Sequence, residues 1–220
     1  MLTIELINNN IPRLILQDTV SKALQLISDF RITHLPVVAE EKYLGMISED
    51  DLLDAEDEKM NMELMQEHFI NAAVHENEHF LTAVNCSNQY DTTVVPVVNE
   101  EGELLGVITT PFLLKALGNF AGTNEIGGIV VLEMERSQFA ISEISRIVES
   151  NDATILHLNS TVHPETGMLT VTIHINKKEI ASIVATFERY DYDVIYYFGN
   201  ENFENEIHSN YRHLMNYLDI

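Results

Sequence analysis

The sequence is poor in cysteine, in basic residues and in long apolar runs, and each shortage excludes something. Cys86 is the one cysteine among 220 residues, so no internal disulfide can form. A reducing, cytoplasmic setting is the expectation that fits such usage. Lys and Arg total 12 against 35 Asp and Glu, a formal net charge of −23. Residues 1–120 hold 20 acids against 6 bases and residues 121–220 hold 15 against 6, so the acidity covers the whole chain. Such a field repels nucleic acid and anionic membranes, and neither is expected as a partner. No stretch approaches the roughly 18 apolar residues of a membrane span. Met1–Asn10 lacks a basic segment and a long apolar run, so no secretory signal is expected there. The chain shows no nucleophile–base pair, P-loop, G-x-G-x-x-G or metal-ligand spacing. A non-enzymatic protein with no catalytic residue and no metal site is therefore expected. What remains is an ordinary apolar fraction of 45%, enough for a packed core in one or two domains.

The first half contains a repeat. Thr33-His-Leu-Pro-Val-Val38 recurs as Thr93-Val-Val-Pro-Val-Val98, at an offset of 60. Leu44-Gly-Met-Ile-Ser48 recurs as Leu105-Gly-Val-Ile-Thr109, at an offset of 61. The slip falls in the polar segment between the blocks, where a hairpin tip tolerates insertion. In the first copy, Val20, Ala23, Leu24 and Ile27 predict a helix from about Thr19 to Phe30. Strands are expected at Leu35–Val38 and Leu44–Ile47, with Pro36 and Pro96 at strand starts. Ser48 is placed to cap a second helix beginning at Glu49, with acids in its first turn. Neither copy can bury its apolar face alone, so one intimate pair is predicted.

Apolar-Pro-Val-Val, a polar hairpin, then Gly-x-x-Ser/Thr and a helix resembles the CBS repeat; two in tandem resemble a Bateman module, over roughly residues 8 to 118. The resemblance implies a cleft between repeats that binds adenine nucleotides or related molecules through Gly-x-x-Thr/Ser-x-x-Asp. The first repeat has this signature whole, Gly45-Met-Ile-Ser48-Glu-Asp-Asp51. Independently of the family, a serine at a helix start offers a hydroxyl and free N–H groups to an oxyanion. Asp51, one turn on, can accept two hydroxyl hydrogens. In the second repeat the signature reads Gly106-Val-Ile-Thr109-Thr-Pro-Phe112, with Phe112 where the acid should stand. One well-formed site is thus expected, on Ser48 and Asp51 beside Ile47. By the resemblance, Ala72, Ala73, Val94 and Val95 line its adenine side, and Thr109 offers the second hydroxyl. The resemblance also brings His34 to the cleft, toward the half-site without its acid, within reach of a phosphate. With Glu49 and Asp50 inside the signature and few cations in either repeat, adenosine, AMP or S-adenosylmethionine suits the charge better than ATP.

From Gly127 the pattern changes. Strands at Ile129–Met134, Thr154–Val162, Met168–Ile175 and Val194–Phe198 alternate with helices at Phe139–Ser150 and Ile180–Tyr190. Ile141, Ile144, Ile147 and Val148 share one face of the first helix; Leu169, Val171, Ile173 and Ile175 share one face of a strand. This β-α-β-β-α-β order is the split βαβ of ferredoxin-like folds, and in a regulatory chain it resembles an ACT domain. The ACT ligand loop usually resembles Asp-x-Pro-Gly; here it is Glu135-Arg-Ser-Gln138, which weakens the case for an amino-acid ligand. Pairing of sheet edges with a second subunit is the alternative the resemblance offers. The layout is similar to acetoin-utilisation regulatory proteins. The expected class is α+β, with CBS repeats at 1–62 and 63–120 and an ACT-like domain at 126–200. Phe203, Ile207, Tyr211, Leu214 and Leu218 predict an amphipathic helix over 201–220.

His75-Glu-Asn-Glu-His79 matches the H-E-x-x-H zinc signature, which needs both histidines on one helix. Aligned on the repeat, it straddles a strand-to-helix junction and is set aside. Met60, Met62 and Met65 read as a packing stripe, and Cys86 as a small core residue. Two classes remain. One is a regulatory sensor of an adenosine-containing ligand, expected as a homodimer acting on a protein partner not identifiable from sequence. The other is a ligand-free interaction scaffold. Asp51 separates them, because only a sensor needs its acceptor.

Overall fold

The computed structural model describes residues 1–199. The chain divides into two compact units, Met1–Leu117 and the part from Gly118 onward. The helix predicted over 201–220 lies outside the described residues.

In the first unit each repeat runs strand, helix, strand, strand, helix. The first repeat comprises β1 (Leu14–Ile15), α1 (Val20–Phe30), β2 (His34–Ala39), β3 (Lys42–Ser48) and α2 (Glu49–Leu53). The second comprises β4 (Val74–His75), α3 (Phe80–Gln89), β5 (Val94–Val98), β6 (Leu104–Thr109) and α4 (Thr110–Phe120). The sheets are ordered β1-β2-β3 and β4-β5-β6, a parallel pair then an antiparallel pair in each.

Local chemistry explains the element ends. Thr19 caps α1, its hydroxyl accepting from Lys22 N at 3.3 Å. Asp18 closes the preceding turn by accepting from Ile15 N at 3.1 Å, and Glu78 does the same for His75 N at 3.2 Å. Arg31 ends α1 in the left-handed region, at φ 53°. Val20, Ala23 and Ile27 face the core and Leu24 is partly buried. The hairpin strands are longer than expected: Pro36 sits inside β2, opposite Met46, and not at its start.

The repeats hold together by exchanging their lead-in segments. The 3₁₀ helix Thr3–Leu6 docks on the second repeat, where Thr3 N donates to Glu78 O at 2.9 Å. The 3₁₀ helix Met62–His68 docks on the first, where Met62 N donates to Asp18 O at 2.9 Å. Farther on, Met46 and Ile70 exchange two backbone hydrogen bonds of 2.8 Å, and Asn8 N donates to Val107 O at 2.7 Å. Between the repeats, Thr33 N donates to Thr93 Oγ1 at 2.9 Å and Thr93 N to Thr33 Oγ1 at 3.2 Å. One apolar core spans both copies and includes Met62, Met65 and Cys86, so the methionines are packing residues. At about 1.5–3 kcal/mol per buried large side chain, neither repeat could give up that shared core.

The second unit is a four-stranded antiparallel sheet in the order β10-β7-β9-β8. Its elements are β7 (Gly128–Met134), α5 (Ile141–Glu149), β8 (Ile155–Val162), β9 (Leu169–Ile175), α6 (Ala181–Arg189) and β10 (Asp193–Phe198). β9 alternates buried and half-buried residues, with Leu169, Val171, Ile173 and Ile175 in the core against α5 and α6. Ile141 departs from its predicted face. As the first residue of α5 it stays 56% exposed, while Ile144, Ile147 and Val148 are buried.

Candidate functional site

The hairpin β2–β3 delivers its last residue, Ser48, to the start of α2. Ser48 Oγ accepts from Asp51 N at 3.0 Å, the capping bond that starts the helix. The same hydroxyl donates to Asp51 Oδ2. The other carboxylate oxygen, Oδ1, lies 3.4 Å from Nδ1 of His68, the end of the second lead-in helix. Hydroxyl, carboxylate and imidazole thus meet at the mouth of the first repeat. Asp51 is partly open there, its side chain 32% exposed.

The floor of this half-site depends on Gly45. A Cβ there would stand 2.9 Å from Phe69 Cβ and 3.1 Å from Ile70 O, so only glycine lets the crossing segment reach Met46. That segment brings Ala72 beside β3, where its carbonyl accepts from the Tyr43 hydroxyl at 2.7 Å. Burial pushes the Tyr43 phenol far up, so it remains a donor. Ala72 is buried and Ala73 half-buried.

The other sequence-assigned residues fall into different places. His34 pairs across the hairpin with Ser48, and Pro36, two residues on, lines the cleft at Gly106. His34 is buried, with Nδ1 2.8 Å from Thr33 Oγ1. Burial lowers its pKa, against the opposing pull of Asp51, Asp50 and Asp91. Ile47, Val94 and Val95 have no exposed surface and belong to the shared core. Thr109 is nearly enclosed and pairs with Val94, as Val95 does with Ile108.

The second half-site repeats the plan with different contents. Gly106 admits the first lead-in segment, and a Cβ there would meet Ile7 Cγ2 and stand 2.8 Å from Asn9 Oδ1. At the position of Asp51 stands Phe112, 46% exposed. A cleft of about 350 Å³ opens beside Gly106, lined also by Asn9, Arg13, Pro36 and Leu105 among others. Arg13 also lies 3.7 Å from Glu41 in an exposed pair of little strength. Sequence reasoning did not single out Arg13 or His68, which the structure brings to the two half-sites on the segments leading into each repeat.

His75 ends β4 and His79 precedes α3, so the H-E-x-x-H match spans two elements. Among the described residues no three metal-ligating side chains converge, and no helix is long and apolar enough to cross a membrane.

The CBS domain family model matches residues 5–58 and 62–119, once on each repeat and over just more than half of the chain. The chain belongs to the CBS-domain family. CBS pairs are regulatory ligand-binding modules, and they are generally not catalysts. Among solved structures, a CBS domain pair/ACT domain protein from Thermotoga maritima is 21% identical, with a TM-score of 0.50 over 55% of this chain and 98% of that one. That likeness is one of fold. A protein named for acetoin utilization from Vibrio cholerae is 19% identical, with a TM-score of 0.46 over 56% of this chain and 95% of that one. A CBS domain pair in complex with 5′-methylthioadenosine and S-adenosyl-L-methionine is 22% identical, with a TM-score of 0.44 over 55% of this chain and 98% of that one.

Proposed function

We propose that this CBS pair is a sensor of an adenosine-containing small molecule, of the adenosine, AMP or S-adenosylmethionine type, bound at the first half-site. The observation that carries the reading is the intact Gly45, Ser48 and Asp51 set, gathered at one helix start with the carboxylate partly open. In this reading Asp51 accepts from the ribose hydroxyls, and Ser48 with the first N–H groups of α2 faces the substituent beyond the ribose. Glu49, Asp50 and Asp54 stand on or at the end of the same short helix, so a triphosphate without a metal ion is disfavoured. In this reading His34, whose pKa burial lowers, and the half-buried Ala73 lie beside the ligand.

The expected organisation is CBS repeats at 1–62 and 63–120, then an ACT-like domain at 126–200 that serves association, with a homodimer as the working unit. The sheet order of the second unit supports the ACT-like reading. A second reading for the ligand is supported by the cleft beside Arg13, which offers a cation where the first half-site offers acids. Thermal unfolding of the purified protein with adenosine, AMP, ATP with and without Mg²⁺, S-adenosylmethionine and amino acids separates these readings. A native-state ligand raises Tm by an amount that grows with the logarithm of its excess over Kd. Stabilisation lost in Asp51→Asn supports the first half-site. Stabilisation lost in Arg13→Ala, with Asp51→Asn unaffected, moves the ligand to the second. An amino acid acting alone moves sensing to the ACT-like unit, and no response favours a scaffold.

A further inference from the structure

We infer that residues 201–220 pack as an amphipathic helix on the face of the second sheet that α5 and α6 leave uncovered. Register defines that face. Val130, Leu132 and Met134 of β7 belong to the core beneath the helices, so Ile129, Val131 and Glu133 point the other way. Cross-strand partners extend two rows over the face. Phe198, His174 and His157 stand in line with Ile129; Tyr196, Thr172 and Asn159 stand in line with Val131. The face is thus apolar on β10 and β7 and polar on β9 and β8. The polar half is met by the chain that follows α4. The Phe120 ring stands 5.6 Å from the His157 ring, and the His174 imidazole lies beside Gly122 and Gly127. The apolar half keeps two aromatic rings partly in water. Tyr196 is 48% and Phe198 59% exposed, and their rings meet edge-on at 5.6 Å. Beside them Val131 is buried, although it belongs to neither apolar core.

The course of the chain says what covers these rings. β10 is an edge strand and Phe198 is its last residue, so the chain leaves the sheet at the apolar corner of this face. Beyond it, Phe203, Ile207, Tyr211, Leu214 and Leu218 follow at steps of four, four, three and four, one stripe of a helix. Asn205, Ser209, Arg212 and Asn216 fall on the opposite side of that spacing. From Phe203 to Leu218 such a helix is about 24 Å long, enough to cross four strands spaced at about 4.8 Å. The acids Glu133 and Asp193 stand opposite each other in a third row, outside the two that hold the rings, so the acidic segment meets apolar rows and not like charge. A segment tethered this closely acts at about millimolar effective concentration, ahead of a free second copy.

The sequence contains no tryptophan, so Phe198→Trp in the full chain gives an emission that reports this corner alone. That emission is expected to be blue-shifted from free tryptophan and shielded from iodide. Adding Ile207→Asp with Leu214→Asp should remove both the shift and the shielding. Adding Ser209→Asp, on the far side of the stripe, should leave both. Far-ultraviolet dichroism reads whether the acid pair disturbs folding. The milder pair Ile207→Ala with Leu214→Ala, expected to lose part of the shift, then takes its place. Emission at the wavelength of free tryptophan in Phe198→Trp alone overturns the proposal, and so does a blue shift that neither pair alters. A blue shift that vanishes on dilution from micromolar to nanomolar protein gives the face to a second copy and overturns it equally.

Discussion

Three residues past the signature hydroxyl, the first repeat carries Asp51, bonded to Ser48 and facing His68, while the second carries an exposed Phe112 and has a cleft at Gly106 lined by Arg13. Around these points the repeats barely differ. Thr33 answers Thr93, Asp18 answers Glu78, and Gly45 answers Gly106, each pair with matched bonding or close approach. What the copies share is what holds each lead-in segment on the other repeat. What has diverged sits at the mouths, where no core packing constrains it. A pair of folds that must pack as one can therefore keep its frame and still carry different side chains at its two half-sites.

The largest effect that would sharpen this comparison comes from the signature glycines. Gly45→Ala forces a methyl against Phe69 Cβ and a backbone carbonyl, and is expected to cost about 2–3 kcal/mol in urea unfolding. Gly106→Ala meets the branch methyl of Ile7 and the movable amide of Asn9, with no backbone atom against it, and should cost about 1–2 kcal/mol. Equal costs would mean that the lead-in segments dock less differently than their contacts indicate. Next, Asp51→Asn should weaken adenosine binding at least tenfold, about 1.4 kcal/mol, while Phe112→Ala leaves it within about twofold. Weakening by both variants would break the assignment to one half-site.

Thr33→Val and Thr93→Val each remove a bond between the repeats and should cost about 1 kcal/mol, with the double variant costing less than their sum. Strict additivity would contradict the reciprocal geometry. The smallest effect is electrostatic. Burial lowers the His34 pKa, so as the pH falls through about 6.5 the unfolded chain takes up its proton before the native one does. Stability from this source is full above that range and is lost below it. Between about pH 7.5 and pH 5.5, Tm should therefore fall less in His34→Gln than in the wild-type chain. An identical fall would show that His34 contributes nothing to acid sensitivity.

Much of this was legible in the sequence. The offset of 60 between Thr33 and Thr93 revealed the repeat, and the apolar spacing of Val20, Ala23 and Ile27 marked the helix it required. Ser48 read as a cap because a hydroxyl before three acids has few other roles, and it is one. The lead-in segments were not legible as docking arms. A single 3₁₀ turn has no periodicity, and its partners lie in the other repeat. The contact of His68 with Asp51 is hidden for the same reason. The resemblance puts Val94 and Val95 on the adenine side of the cleft, and in the structure both are fully buried, a burial that alternation along a short apolar strand does not foretell. Ile141 fitted the helical period, yet it stands at a helix start, where the core has already ended.

The most direct test of the central claim is the stoichiometry of adenosine binding to the full chain, by calorimetry at about pH 8, in the wild-type protein and in Asp51→Asn. One adenosine per chain, lost in Asp51→Asn while far-ultraviolet dichroism and Tm without ligand are unchanged, is the predicted result. Binding that survives in Asp51→Asn, or two equal sites per chain, would contradict the account, because it would place the nucleoside where Phe112 has replaced the acceptor.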